Sequence, residues 1–228
     1  EKFYDLTGSL TYIAAISFAL YSTNTSQSLD LGSLIIGAAI IVWAVRLGSF
    51  LFMRVHKDKK DGRFDTIKTS FSHFFMTWTL QGMWVSICSM CALTAIASNK
   101  GVIQNGLFYI GLIVFIIGFV IEIIADMQKS QFRKNPDNKD QFIQHGLWAY
   151  SRHPNYFGNA LLWWGIGIVG AETGSGVIGF IGPVVMTYLL LKVSGVPMLE
   201  HSMNKRRAGY AEYATRTSVF IPRLPKKA

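Results

Sequence analysis

Polar side chains capable of chemistry are densest in one short segment of the chain. Six of them occupy the seven positions 150–156, namely Tyr150, Ser151, Arg152, His153, Asn155 and Tyr156. Pro154 disfavours a helical conformation at His153 and fixes its own φ, so we expect a rigid loop here. No partner His or Cys stands at metal-ligand spacing from His153, and no metal is expected. A loop that presents arginine, histidine, asparagine and tyrosine is suited to binding a polyanion.

A second group combines acidic and basic residues on one helical face. Glu122, Asp126, Lys129 and Arg133 recur at i, i+4, i+7 and i+11. Carboxylates accept hydrogen bonds from ribose hydroxyls or amides, and arginine pairs with phosphate in a bidentate manner. The stripe therefore predicts a ligand that carries both hydroxyls and phosphates. The alternative is a helix that simply emerges into water.

A third group lies near the C-terminus. Glu200 ends the last apolar stretch, and Arg206, Tyr210 and Tyr213 then recur at i, i+4 and i+7, with Arg207 beside them. This repeats the chemistry of the 150–156 segment. A face that is solvated, or that binds lipid headgroups, is the alternative interpretation.

The elements that must position these groups are apolar and long. Half of the 228 residues are hydrophobic and 15% are charged, against about 25% charged residues in an ordinary soluble domain. A transmembrane helix needs about 20 apolar residues. Six stretches approach that length and predict an all-α integral membrane protein of about six transmembrane helices: Thr7–Thr23, Leu31–Met53, Phe71–Ala97, Val102–Ala125, Tyr156–Ala171 and Val177–Leu199.

The basic residues are distributed asymmetrically between the loops. Nineteen of the 22 lysines and arginines lie in the segments 54–70, 126–152 and 192–228, which six crossings place on one side. The opposite loops contain only Lys100. This is the positive-inside pattern, and it predicts that both termini and the two long loops are cytoplasmic. The net charge of +9 is thereby explained without a nucleic-acid partner.

The simplest organisation is a single integral membrane domain over residues 1–228. Because the chain begins without methionine, a preceding segment is compatible with the sequence, and a seventh helix is one form that it could take. The membrane is predicted to be the endoplasmic reticulum in a eukaryote or the inner membrane in a bacterium. Two polar residues at membrane depth, Arg46 and Gln81, are functional candidates because burying them is costly. For Arg46 the alternative is that its side chain reaches the cytoplasmic interface.

The motifs together resemble a known family. The segments 146–158, 194–200 and 210–222 are similar to the membrane family grouped with the steroid 5-alpha-reductase C-terminal domain, and residues 2–9, 43–48, 61–64 and 80–82 resemble its earlier segments. The resemblance spans nearly the whole chain, with its signature portion at about residues 100–228. The shorter Arg-His-Pro-x-Tyr-x-Gly pattern also resembles isoprenylcysteine carboxyl methyltransferases and phospholipid methyltransferases, which use S-adenosylmethionine.

The reductase resemblance implies an enzyme that binds NADPH in a cytoplasm-facing pocket. Such an enzyme reduces a carbon–carbon double bond in a sterol, steroid or other lipid that enters from the bilayer. Cofactor contacts are expected at Arg63, Glu122, Asp126, Arg133, Tyr150, Arg152, His153, Asn155, Tyr156, Arg207, Tyr210 and Tyr213. A nearby group must polarise the substrate carbonyl or protonate the enolate, and the candidates are Asp5, Arg46 and Gln81.

Two positions depart from the family pattern. Ala149 stands where relatives usually have a basic residue, and Asn159 stands where they usually have a carboxylate near the nicotinamide. Because Asn159 brings no charge, a non-catalytic lipid-binding membrane protein is one alternative function. The shorter Arg-His-Pro-x-Tyr-x-Gly pattern gives the other, a methyltransferase that uses S-adenosylmethionine.

The topology gives a testable prediction. With Cys88→Ala and Cys91→Ala as background and the protein expressed in the bacterial inner membrane, a membrane-impermeant maleimide should label Lys100→Cys in intact cells, because the 98–101 loop is placed on the periplasmic side. Asp137→Cys should be labelled only after permeabilisation. Labelling of Asp137→Cys in intact cells would contradict the predicted orientation.

Overall fold

The regular secondary structure of the described residues is all helical. The computed structural model describes residues 3–58, 64–171, 173, 176–193 and 195–226, and no β-strand occurs among them. Nine α-helices follow one another within these residues: α1 (Tyr4–Ser26), α2 (Leu31–Asp58), α3 (Phe64–Ile67), α4 (Phe71–Ile96), α5 (Gly106–Lys134), α6 (Pro154–Gly170), α7 (Ile181–Lys192), α8 (Val196–Arg206) and α9 (Tyr210–Arg216). The prediction of an all-α protein is confirmed.

Four stretches are long and apolar enough to cross a membrane. Among the described residues they are Leu31–Lys57, Phe71–Ile96, Gly106–Lys134 and Ile178–Arg206. They overlap the second, third, fourth and sixth predicted spans. The first and fifth predicted spans are also helical, as α1 and α6, although neither meets the same criteria of length and hydropathy. By length and composition the chain is a multi-pass membrane protein, and the count of six crossings stays a prediction.

The outer surfaces of the long helices are apolar. Phe18 on α1, Val42 on α2, Phe75 on α4 and Ile113 and Ile117 on α5 are all exposed. Large apolar side chains exposed on several helices at once would be unfavourable in water. This surface fits a lipid environment.

Hydroxyl side chains within α4 bond to the helix itself. Thr79 Oγ1 donates to the Phe75 carbonyl at 2.9 Å, and Ser89 Oγ donates to the Val85 carbonyl at 2.6 Å. Lipid offers no hydrogen-bond partner, so a hydroxyl in a membrane helix must bond within the protein. The polar residues of α4 are therefore compatible with a membrane span.

The described residues divide into two compact units. The first unit draws on Glu1–Gly111 and Ile166–Gly182, and the second on Leu112–Gly165 and Pro183–Ala228. The predicted catalytic candidates belong to the first unit. The predicted cofactor contacts belong to the second unit, apart from Arg63, which lies outside the described residues.

In the first unit α1 packs closely on α2. The ring of Tyr12 meets the ring of Trp43 edge-on with centroids 5.1 Å apart, and both side chains are buried. A Cβ added to Gly48 would come within 2.6 Å of the Ser9 side chain. Small residues at such a contact let membrane helices approach closely.

In the second unit α5 and α6 touch through two glycines. A Cβ on Gly158 would lie 2.6 Å from both the Glu122 nitrogen and the Gly118 carbonyl oxygen. A Cβ on Gly118 would lie 2.5 Å from the Leu162 nitrogen. These are backbone atoms, which no side-chain rotation can move away. The contact places the carboxylates of α5 beside the first turns of α6.

This contact predicts a large effect of a single methyl group. Gly158→Ala should lower the free energy of unfolding by about 1–3 kcal/mol, because the added Cβ forces two backbones apart. The measurement is thermal or denaturant unfolding of the purified protein in detergent. The matched control is Gly82→Ala in α4, where an added Cβ meets no atom within 4 Å. Equal unfolding free energies for wild type and Gly158→Ala would contradict the close packing.

Candidate functional site

The C-terminal tail holds the polar segment 150–156 in place. Ser151 is fully buried, and its Oγ donates to the Phe220 carbonyl at 2.7 Å. The Arg152 backbone nitrogen donates to the Ser218 carbonyl at 2.8 Å. Pro154 then begins α6, a position that suits its fixed φ and missing N–H. The segment is thus fixed on one side by the tail and on the other by the helix that it starts.

The carboxylate of Glu200 joins three of the functional candidates. Its Oε1 lies 2.7 Å from His153 Nε2 and accepts from the Tyr210 hydroxyl at 2.8 Å. Its Oε2 accepts from Arg152 Nη1 in a partly buried ion pair. Glu200 lies on α8, Tyr210 on α9, and the other two lie just before α6. One carboxylate therefore joins three segments of the second unit.

Burial sets the protonation states around this carboxylate. Burial lowers the pKa of His153 below its usual range, and the hydrogen bond to Glu200 only partly opposes that shift. Burial also raises the pKa of Tyr210, as does the neighbouring Glu200, and burial raises the pKa of Tyr213. At neutral pH His153 is therefore neutral and both phenols are protonated. A carboxylate can only accept, so His153 carries its proton on Nε2.

Arg152 has a further donor beyond its ion pair. Its Nε is buried and has no hydrogen-bond partner among the described residues. Buried donors are normally bonded, and an exception in a native structure calls for an explanation. An oxygen-bearing ligand beside Arg152 would supply the missing acceptor.

A cavity of about 480 Å³ opens in the second unit beside Arg152. Its size is within the range of small-molecule sites. Five lysines and arginines line it against a single carboxylate, Asp140: Lys129, Arg133, Lys139, Arg152 and Arg207. Aromatic rings form much of the remaining wall: Phe132, Phe142, Trp148, Tyr210 and Tyr213. The excess of positive charge beside flat apolar rings suits an anionic ligand with an aromatic group.

The acidic and basic halves of the predicted stripe separate in the structure. Lys129 and Arg133 line the cavity. Glu122 and Asp126 are buried, and their carboxylates accept from Asn159 Nδ2 at 3.2 Å and Asn155 Nδ2 at 3.3 Å. Glu122 and Asp126 of α5 thus form a polar contact with Asn159 and Asn155 of α6.

The remaining predicted cofactor contacts surround these groups. Tyr156 stacks on His153 with ring planes 11° apart. The Tyr213 hydroxyl donates to the Trp148 carbonyl at 2.5 Å, while Tyr150 is exposed. Of the twelve predicted contacts, six line the cavity: Arg133, Arg152, His153, Arg207, Tyr210 and Tyr213.

The predicted catalytic candidates make separate contacts within the first unit. Asp5 Oδ2 lies 3.9 Å from Arg54 Nη2. Gln81 Nε2 donates at 2.6 Å to the carbonyl oxygen of the residue before Asp5. The guanidinium of Arg46 lies 5.1 Å from the centre of the Phe50 ring. Asp5 and Gln81 thus both reach the start of α1.

A comparison with protein families identifies the group to which this sequence is related. A family model described as "Protein of unknown function (DUF1295)" matches residues 1–217. The chain belongs to this family. No solved structure gave a match.

One curated protein that is similar to this chain has a name that states an activity. The chain is 32% identical over 112 residues to "Probable O-methyltransferase ustE" of Ustilaginoidea virens. The match covers 42% of this chain and 39% of that protein. The chain thus matches about two fifths of the relative's length.

Several residues of the site were absent from the sequence-based set. Glu200 had a signal, because it ends the motif 194–200 just before the Tyr210 and Tyr213 repeat. Lys129 had one too, as a member of the charged stripe. Lys139, Asp140 and Phe142 lie in a segment without helical periodicity, and only the tertiary fold brings them to the cavity.

The lowered pKa of His153 predicts a pH-dependent stability. As the pH falls below about 6.5, the unfolded chain takes up a proton before buried His153 does. The stability of the wild type should therefore be lost as the pH falls from about 6.5 towards His153's lower folded-state pKa. The groups that set this response are Glu200, Lys129 and Arg152, which act on the imidazole within the second unit.

The measurement is the unfolding midpoint in detergent across this pH range, for the wild type and His153→Gln. The variant has no imidazole to titrate, so its profile should be flatter. Identical profiles for the two proteins would show that His153 does not titrate as described.

Proposed function

We propose that this protein is a membrane-embedded, NADPH-dependent reductase of a carbon–carbon double bond in a sterol, steroid or other lipid. The observation that carries the proposal is the charge of the cavity in the second unit. Five cationic side chains and one carboxylate line it. NADPH carries about four negative charges on its pyrophosphate and 2′-phosphate. A polyanion of this kind balances the excess of cations.

The donor set of the cavity matches the parts of the cofactor. Lys129, Arg133 and Arg152 offer charged donors to phosphate oxygens, and the buried Nε of Arg152 has no partner among the described residues. The rings of Tyr210 and Trp148 offer flat apolar surfaces to an adenine or nicotinamide ring. The network around Glu200 keeps Arg152 in one position, which reduces the entropy lost when a ligand binds.

The chemistry requires a hydride and a proton. NADPH, when bound, supplies the hydride that reduces the double bond. The proton, or the polarisation of a conjugated carbonyl, must come from the chain, and Asp5, Arg46 and Gln81 are the candidates. Asp5 lies in the first turn of α1, and the amide of Gln81 on α4 bonds to the same turn; both side chains are partly buried.

Asn159 stands where relatives usually have a carboxylate, and its contacts in the structure support the proposal more than the sequence alone did. Asn159 has no charge, but its amide bonds to the carboxylate of Glu122, which is buried. The negative charge that relatives place on α6 is thus present on α5, directly beside Asn159. Although position 159 has no carboxylate, the carboxylate of Glu122 beside it provides a hydrogen-bond acceptor.

A methyltransferase is the second candidate, and a specific observation favours it. The relative in Ustilaginoidea virens is named a probable O-methyltransferase. S-adenosylmethionine, however, carries a net positive charge from its sulfonium and ammonium groups. The excess of cations over carboxylates in the lining of the cavity would disfavour it. The charge of the cavity therefore favours the reductase.

Cofactor binding by the purified full chain in nanodiscs tests the proposal. NADPH should bind, measured by the change in its fluorescence, and S-adenosylmethionine should not bind in calorimetry. Arg152→Ala and Arg133→Gln should each weaken NADPH binding by roughly tenfold or more, because each removes a charge-assisted contact. Arg133→Gln changes an exposed residue and guards against a folding defect in the buried Arg152 variant. Lys205→Gln, an exposed cation that does not line the cavity, is the matched control.

The alternative outcomes separate the functions. Binding of S-adenosylmethionine without NADPH would overturn the reductase in favour of a methyltransferase. Binding of neither would favour a non-catalytic lipid-binding protein. If the wild type and both arginine variants bound NADPH with equal affinity, the cofactor would not bind in this cavity.

A further inference from the structure

An ion pair on the wall of the cavity joins the loop after α5 to the end of α8. Arg207 Nη1 donates to Asp140 Oδ1 at 2.9 Å, and the Asp140 side chain is 82% exposed. Asp140 has a φ of 65°, a left-handed conformation that aspartate tolerates better than most residues. Both side chains line the cavity.

Aromatic ring contacts hold the segment that carries Asp140 against the helix that follows Arg207. The Phe142 ring packs edge-on against Tyr210 with centroids 5.1 Å apart, and lies 5.3 Å from the Tyr213 ring. Phe142 is two residues from Asp140, and Tyr210 is three residues from Arg207. The loop that carries Asp140 is thus anchored to the helix that follows Arg207.

Arg207 differs from Arg152 in how easily it can change partner. Arg152 is bonded to Glu200, which also bonds His153 and Tyr210. Replacing that partner would break a buried network. Arg207 pairs with an exposed carboxylate, and exposed ion pairs contribute little free energy. An incoming phosphate can therefore take over Arg207 at small cost.

An arginine and a carboxylate are also the two groups by which dinucleotide sites distinguish their cofactors. A carboxylate accepts hydrogen bonds from the ribose hydroxyls of NADH, whereas an arginine accommodates the 2′-phosphate of NADPH. Here both stand 2.9 Å apart on one wall. Arg133 and Lys139 line the same cavity and add positive charge.

We propose that Arg207 and Asp140 form the subsite that recognises the 2′-phosphate, with Arg207 as the residue that selects NADPH over NADH. The inference rests on the proposed cofactor. Bound phosphate takes the place of Asp140 as the partner of Arg207. Without Arg207, Asp140 is released to accept from a ribose 2′-hydroxyl. Arg152 and Lys129 then serve the pyrophosphate that both dinucleotides share.

The test compares two pairs of probes that differ only in the 2′-phosphate. Dissociation constants for NADPH and NADH, and for 2′,5′-ADP and 5′-AMP, are measured with the full chain in nanodiscs. The proteins are the wild type, Arg207→Gln, Asp140→Asn and Arg206→Gln. Arg206 is the adjacent exposed arginine and does not line the cavity, so it controls for the loss of one positive charge.

The wild type should prefer the phosphorylated member of each pair. Arg207→Gln should weaken NADPH and 2′,5′-ADP binding by about ten- to hundredfold and leave NADH binding unchanged or tighter. Asp140→Asn should keep the preference for NADPH, because it removes only the group that the phosphate replaces. Arg206→Gln should behave like the wild type.

Three results would overturn the subsite. If Arg207→Gln weakened the binding of NADPH and NADH equally, Arg207 would contact a part of the cofactor that both dinucleotides share. If Arg206→Gln weakened NADPH binding as much as Arg207→Gln does, the effect of Arg207 would come from its positive charge alone and not from a specific contact. A wild type that binds NADPH and NADH equally would show that the 2′-phosphate is not recognised. In each of these cases the wild type still binds NADPH, so the proposed function is not contradicted. If the wild type bound no NADPH, both the proposed function and the subsite would be contradicted.

Discussion

The ion pair between Glu200 and Arg152 is the interaction on which the site depends. Removing a carboxylate and a guanidinium from water is costly, and further hydrogen bonds to the carboxylate help to offset the cost. Glu200 accepts such bonds from His153 and Tyr210 as well as from Arg152. Because the donors come from α9 and from the segment before α6, the network fixes where those elements lie within the second unit. Removing Glu200 would leave Arg152 as a buried charge without its partner.

The same network determines which charges remain for a ligand. The charge of Arg152 is balanced by Glu200, while neutral His153 adds none. Lys129 lies 4.7 Å from the centre of the Trp148 ring, in a cation–π contact. Arg207 pairs with the exposed carboxylate of Asp140. The cavity therefore keeps a net positive field, whose natural complement is an anion.

The helices and most of the charged site were predictable because their signals are local. Long apolar runs predicted helices at all six places, and the helical repeat placed Lys129 and Arg133 on one face. The repeat could not tell that Glu122 and Asp126 bond to asparagines of α6. That outcome depends on the close approach of Gly118 and Gly158, which sequence spacing within one helix does not encode. The boundary of the apolar run also missed that α6 begins at Pro154, inside the polar segment.

By itself the sequence determined a multi-pass helical membrane protein with cations gathered in a few segments, because hydropathy and charge act over short stretches of chain. Only the tertiary structure decided which cations share a cavity. Asp140 and Arg207 are 67 positions apart and Arg152 and Glu200 are 48 apart. Contacts at such separations follow from how helices pack and where loops return, and packing is a property of the whole unit rather than of any segment.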